Sequence, residues 1–168
     1  MRLPADATLI VADMREAAAE TTLADVKPRS NAAALVAAWR QEELPLVRVR
    51  PDPKGSGLTG APGEIAIAGR RVDAFEGAEL ERLLDDIGAT TLVLCGVWSD
   101  ASLAATARHA GELGYHVFIV ADACQSTDGP TSLTGLGDEW ARIVDTAKAL
   151  GAAATAKFRQ RRDAARRR

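Results

Sequence analysis

An aspartate and a serine follow two separate apolar runs of this chain, and both residue types can do chemistry there. Asp13 follows the run TLIVA, and Ser102 comes shortly after the run TTLVLCGV. A carboxyl group at the end of a buried strand is costly unless it is paired or faces a site, and apolar surroundings raise its pKa. We therefore predict that Asp13 is a general acid or base, with a structural aspartate as the alternative.

Ser102 is predicted to lie in the first turn of a helix, where backbone N–H groups stabilise an anion. A serine hydroxyl also needs a nearby base to act as a nucleophile. The two histidines, His109 and His116, are expected two turns down that helix and at the far end of the next strand, out of reach. Ser102 is interpreted as a polar pocket residue, with a nucleophilic serine as the alternative.

Two further side chains near Ser102 are candidates for substrate binding. Trp98 would narrow the pocket or stack on a flat substrate, or else simply pack beside the site. Asp100 is the second candidate, although Ser99 or Asp100 is also expected to cap the helix.

These residues are positioned by a strand, a helix and a second strand between residues 90 and 124. The runs TTLVLCGV and HVFIVADA have the apolar, branched composition of strands buried on both faces. The helix between them has apolar residues at spacings of three and four and ends at Gly114. Such a unit is a right-handed crossover, which places functional residues at the carboxyl ends of its strands.

The rest of the chain continues the alternation of strands and helices. We predict a three-layer α/β/α fold with a mainly parallel, Rossmann-type central sheet. In order, the expected elements are a strand TLIVADM, a helix SNAAALVAAWRQEE with Pro28 as an early helical residue, a strand PLVRVR, a loop PDPKGSGLTGAPG, a strand GEIAIAG, a helix AELERLLDDIG, the crossover unit, a link DGPTSLTGLG, a helix DEWARIVDTAKALG and a final strand AAATAKF.

The stretch around Ser102 follows the pattern G-V-x-[ST]-[DE]-x-S-L-x-x-T-A-x-x-A-x-x-x-G-Y-x-V-x-[IV]-V-x-D-A. This pattern resembles the isochorismatase-like (cysteine hydrolase) superfamily. TLIVADM is similar to the first strand of that family, with Asp13 at its catalytic aspartate. RRVDAFEGAELERLL is similar to the segment that follows its catalytic lysine. The resemblance spans residues 7 to 150 and implies the same fold.

The chain departs from the family at two catalytic positions. Ser102 stands where the family carries its nucleophilic cysteine, and Gly69 stands where it carries its lysine. A serine introduced by design in place of cysteine is a further interpretation of Ser102. Of the three catalytic residues that the resemblance implies, only Asp13 is kept.

Three arginines are candidates to supply the positive charge of the missing lysine and to bind substrate. They are Arg15, Arg70 and Arg71. Arginine binds carboxylates well but stays charged, so it is a poor proton shuttle. For at least one of them, solvated surface is the alternative.

The resemblance implies a small-molecule hydrolase in which Asp13 protonates a vinyl ether and water completes the cleavage. The alternative is a catalytically inactive member that serves as a binding or oligomerisation module. The family also implies a small-molecule ligand or substrate and a homo-oligomer, either a dimer or a tetramer. No cofactor is expected.

Composition sets further limits. With 168 residues, 47% of them hydrophobic, the chain is expected to form a single domain over residues 1–156 and a basic tail over 157–168. The tail has seven Lys or Arg and one Asp, a charge of +6 against −2 for the whole chain, which leaves −8 on the remainder. We interpret it as a solvated tail, with nucleic-acid or membrane contact as the alternative.

Several classes of protein and site are disfavoured by sequence pattern. The two histidines and two cysteines lack metal-ligand spacing, and the loop GSGLTGAPG lacks the ending of a phosphate-binding loop. No apolar run approaches the roughly 18 residues of a membrane span, and the N-terminus does not resemble a signal peptide. With its cysteines outside a disulfide framework, the chain is predicted to be cytoplasmic.

Overall fold

The computed structural model describes residues 3–4, 6–12, 23–50, 64–68, 73–127, 133 and 139–166. For residues 23–25, 50, 64–68 and 157–166 the backbone alone is described. The predicted loop 51–63 therefore lies outside the described residues, as does the link 128–137 apart from Leu133.

The described strands form one parallel, six-stranded sheet in the order β3-β2-β1-β4-β5-β6. The strands are β1 (Thr8–Ala12), β2 (Leu46–Arg50), β3 (Glu64–Ala68), β4 (Thr91–Trp98), β5 (His116–Ser126) and β6 (Arg142–Val144). The helices are α1 (Leu23–Gln41), α2 (Glu79–Ile87), α3 (Asp100–Glu112) and α4 (Thr146–Arg166).

The sheet is covered on both faces, which confirms the predicted α/β/α architecture. Helices α1 and α4 pack on one face around Leu35, Trp39 and Ala153. Helices α2 and α3 pack on the other face around Leu84 and Leu103. Every residue of β1 is buried, as expected for a central strand with helices on both sides. The apolar runs of the sequence therefore correctly predicted β1, β4 and β5, the strands that lie between the two layers of helices.

The predicted order of the last two elements is wrong. A helix followed by a strand was expected, whereas the short strand β6 precedes the long helix α4. The carboxylate of Asp145 accepts a hydrogen bond from the backbone N–H of Lys148 at 2.7 Å, so the helix begins after β6 rather than before it. The run AAATAKF is helical because alanine has the strongest helix propensity.

Two other boundaries differ from expectation. Helix α1 begins at Leu23, so Pro28 is its sixth residue rather than one of its first. Helix α4 continues to Arg166, across the predicted division at residue 157, and the single domain over 1–156 stays a prediction. Within the described part of the chain, none of the helices combines the length and the apolar character that crossing a membrane requires.

Candidate active site

The carboxyl ends of β1 and β4 approach each other unusually closely at Gly96. Gly96 is paired with Ala12 in the sheet and has a φ of 106°, a conformation that favours glycine. A Cβ atom on Gly96 would lie 2.3 Å from the carbonyl oxygen of Ala12 and 2.8 Å from its nitrogen. Glycine therefore lets the end of β4 lie against the residue that immediately precedes Asp13.

Helix α3 begins at Asp100, four residues beyond Gly96, and Ser99 caps it. The Ser99 hydroxyl accepts a hydrogen bond from the backbone N–H of Ser102 at 3.0 Å. Of the two predicted caps, Ser99 is therefore the cap, and Asp100 is the first helical residue. A carboxylate in this first turn interacts favourably with the helix dipole. Ser102 is buried in the same turn, with 8% of its surface exposed.

Trp98 is packed into the core rather than standing open at the end of β4. Only 5% of its surface is exposed, and it belongs to the apolar cluster that lies under α2 and α3. Its indole N–H donates to the carbonyl of Cys95 at 3.0 Å. The predicted contact between Trp98 and a substrate stays a prediction.

Several predicted site residues lie outside the described residues. They are Asp13, Arg15, Gly69, Arg70 and Arg71. Their catalytic and binding roles therefore stay predictions, as do those of Ser102 and Asp100. Among the residues that are described, no group of three or more His, Cys, Asp or Glu side chains is placed to hold a metal ion.

Neither histidine is placed to act on Ser102. His109 Nδ1 lies 2.8 Å from the Asp73 Oδ2 atom, and His109 is seven residues beyond Ser102, about 10 Å along the helix axis. His116 is exposed at the start of β5, among the amino ends of the strands, whereas Ser102 follows the carboxyl end of β4. The expectation that Ser102 lacks a histidine base agrees with these positions.

Both cysteines of the chain are unsuited to nucleophilic catalysis. Burial, and to a lesser extent the neighbouring Cys124, raises the pKa of Cys95 well above its ordinary value, and Arg48 only partly offsets this. Burial, with a contribution from Asp122, raises the pKa of Cys124 to about 12. Since the thiolate is the reactive form, burial and the raised pKa values disfavour nucleophilic chemistry at both side chains.

Asp122, the aspartate of the V-x-D-A end of the sequence pattern, links three elements. Its Oδ1 atom accepts hydrogen bonds from the backbone N–H and the hydroxyl of Thr146, each at 2.8 Å. Asn31 donates to its backbone carbonyl at 2.7 Å and to its Oδ2 atom at 3.1 Å. Asp122, within β5, therefore holds α1 and the start of α4 against this strand, a structural role.

Sequence reasoning missed a set of contacts between α3 and the segment that precedes α2. The fully buried Thr106 accepts a hydrogen bond from the backbone N–H of Ala74, and His109 contacts Asp73. Thr106 lies one turn after Ser102, so the helical period was the signal that placed both on one face. No sequence spacing links Thr106 to Ala74.

Comparison with known proteins identifies the family. Residues 7–148 match the family model described as the isochorismatase domain. The uncharacterized isochorismatase family protein YecD of Escherichia coli O157:H7 is 33% identical over 87 residues, 52% of this chain and 46% of that protein. A streptothricin hydrolase of Streptomyces noursei is 41% identical over 71 residues, 42% of this chain and 26% of that protein. These matches span less than half the length of either relative.

Structural similarity to a known protein extends over more of this chain than these sequence matches do. The crystal structure of an isochorismatase-family protein from Chromobacterium violaceum is similar with a TM-score of 0.74 and 28% identity, covering 92% of this chain and 97% of that one. The family model, the six-stranded sheet and the β4–α3 turn lead to one conclusion. This chain belongs to the isochorismatase family.

Proposed function

We propose that this chain is a small-molecule hydrolase of its family that works without a thiol nucleophile, with Asp13 as a general acid. The observation that carries the proposal is the burial of both cysteines, whose thiols have raised pKa values. A serine occupies the position that corresponds to the family's cysteine, and neither histidine lies near it. Under this proposal, chemistry at the site begins with a group other than a thiolate.

A carboxylic acid can begin the cleavage of a vinyl ether. Asp13 would donate its proton to the vinyl carbon, leaving a positive charge shared between the adjacent carbon and the ether oxygen. Water then adds to that carbon, and the resulting hemiketal collapses to a carbonyl compound and an alcohol. General acid catalysis contributes roughly 10²–10⁴-fold, so this route gives modest rates unless other groups assist.

The remaining predicted site residues would bind the substrate. Arg15, Arg70 and Arg71 would attract an anionic substrate, and Asp100 and Trp98 would border the pocket with Ser102. The close approach of Gly96 to Ala12 supports this arrangement, because it holds the chain just before Asp13 beside the turn that leads to Ser102.

A second candidate is an inactive family member that binds a small molecule or assembles with its own copies. The sequence observation that favours it is Gly69 at the position corresponding to the family's lysine. In this case ligand binding would be measurable by calorimetry, while turnover of every tested substrate would be absent.

The test compares two substrates and two matched variants. Isochorismate tests the vinyl-ether route, and streptothricin tests the activity named for one relative. Asp13→Asn removes the acidic proton, whereas Asp86→Asn makes the same chemical change at an exposed position of α2. We expect turnover of isochorismate by the wild type and by Asp86→Asn, and a loss of about 10²-fold or more in Asp13→Asn.

The other possible outcomes distinguish the acid mechanism from an inactive module and from a thiol mechanism. Unchanged turnover in Asp13→Asn would exclude the acid mechanism, and binding without turnover in the wild type would favour the inactive module. A Cys95→Ala/Cys124→Ala variant should keep its turnover per folded molecule. Loss of activity in that variant, with the fold intact, would instead show that a thiol takes part.

A further inference from the structure

The chain just before α2 is attached to α3 through both side-chain and backbone atoms. His109 Nδ1 lies 2.8 Å from Asp73 Oδ2, and the backbone N–H of Ala74 donates to Thr106 Oγ1 at 3.0 Å. The Asp73 Oδ1 atom accepts from the backbone N–H of Phe75 at 2.9 Å, so one carboxylate serves both the local turn and the helix. We call these contacts of Asp73 and Ala74 with Thr106 and His109 the α3 clasp.

The inner half of the clasp is shielded from water. Thr106 is fully buried and Ala74 is 4% exposed, so water cannot replace the Thr106 hydroxyl as the acceptor for the Ala74 N–H. The outer half is partly open, with 39% of the His109 side chain and 21% of the Asp73 side chain exposed. The Phe75 ring packs beside the imidazole with its centroid 5.1 Å away.

The clasp connects two parts of the proposed site. Thr106 lies one turn beyond Ser102 on the same helix, and Asp73 follows Arg70 and Arg71 by three and two residues. The clasp therefore joins the helix that carries Ser102 to the residues that follow the two arginines in the sequence.

We infer that Thr106 and His109 are positioning residues: they hold Asp73 and Ala74, which follow Arg70 and Arg71 in the sequence, against the helix whose first turn contains Ser102. The substrate-binding part of this inference rests on the proposed function, because it takes the two arginines as binding groups. The clasp itself does not depend on turnover.

The test removes the buried acceptor and then restores it. Thr106→Val keeps the shape of the side chain without its hydroxyl, and Thr106→Ser returns the hydroxyl. Thr155→Val is the matched control, because the Thr155 hydroxyl is exposed and bonds only to carbonyls of its own helix, at 3.0 and 3.4 Å. Hydrogen exchange of the Ala74 amide, whose acceptor is the Thr106 hydroxyl, is measured, with the amides of β4 as the internal reference.

We expect exchange of the Ala74 amide to rise about tenfold in Thr106→Val, as the loss of one hydrogen bond of ordinary net strength implies. The Thr106→Ser and Thr155→Val variants should match the wild type. In the active enzyme, KM should rise in Thr106→Val while kcat changes little, because binding rather than proton transfer is affected.

The outcomes separate the clasp from the proposed function. Unchanged exchange of the Ala74 amide in folded Thr106→Val would show that the Thr106 hydroxyl does not hold this segment, and would overturn the clasp. Faster exchange with an unchanged KM would overturn its role in substrate binding. An enzyme without turnover would contradict the proposed function, yet the exchange result would still stand. If Thr106→Val fails to fold, His109→Ala makes the same test at a partly exposed side chain, and His109→Asn restores a donor.

Discussion

Replacing Gly96 by alanine is the sharpest test of how the site is built. The new Cβ atom would lie 2.3 Å from the carbonyl oxygen of Ala12, 2.8 Å from its nitrogen and 3.1 Å from its carbonyl carbon. All three are backbone atoms of a fully hydrogen-bonded central strand, so no side chain can rotate away. In addition, the φ of 106° at Gly96 is a strained conformation for alanine.

The expected cost has two separable parts. Backbone strain at a non-glycine residue costs about 1–3 kcal/mol. Forcing extra volume into a packed region costs about 1–3 kcal/mol more. Gly114→Ala isolates the first part, because Gly114 has a φ of 90° and nothing within 4 Å of its Cβ position. Gly151→Ala in helix α4 has neither problem and should stabilise the fold by about 0.5–1 kcal/mol.

Urea denaturation of the three variants measures the free energy of unfolding directly. We expect a loss of about 2–6 kcal/mol for Gly96→Ala and about 1–3 kcal/mol for Gly114→Ala. The midpoint of thermal unfolding should fall by about 2–4 °C for each kcal/mol. If Gly96→Ala destabilises no more than Gly114→Ala does, the close approach of β4 to Ala12 does not exist and the proposed neighbourhood of Asp13 loses its support.

Two further predictions concern Asp122 and the thiols. Asp122→Ala should lower the free energy of unfolding by about 3 kcal/mol, because the buried Thr146 loses a charged acceptor. Asp145→Ala, which removes only an exposed helix cap, should cost about 1 kcal/mol, and equal losses would contradict the linking role of Asp122. Cys95 and Cys124 should resist iodoacetamide in the native protein at neutral pH and react once it unfolds, since their pKa values are raised. Rapid alkylation of either thiol in the folded protein would refute this.

Local sequence pattern determined the strands, the central helices and the architecture. The runs around β1, β4 and β5 are apolar and rich in branched residues, and only a sheet covered on both faces can bury such strands. Gly88 and Gly114 each follow a predicted helix in the sequence. Both glycines have a positive φ, which glycine adopts at little cost, so each helix end had a local signal. Local pattern failed at the end of the chain, where the run DEWARIVDTAKALG is predicted as a single helix. Its residues Arg142–Val144 form β6, and Asp145 caps the helix that follows.

The sequence by itself also placed Ser102 at the start of α3. That the family's catalytic cysteine and lysine are replaced is implied by the resemblance and stays a prediction. Only the tertiary structure decided which groups face one another across distant parts of the chain. Thr106 and Ala74 are 32 residues apart, and Asn31 and Asp122 are 91 apart. No periodicity encodes such contacts, because they depend on how strands and helices are stacked in three dimensions. The same is true of both thiols, whose raised pKa values follow chiefly from burial between layers rather than from neighbouring residues in the sequence.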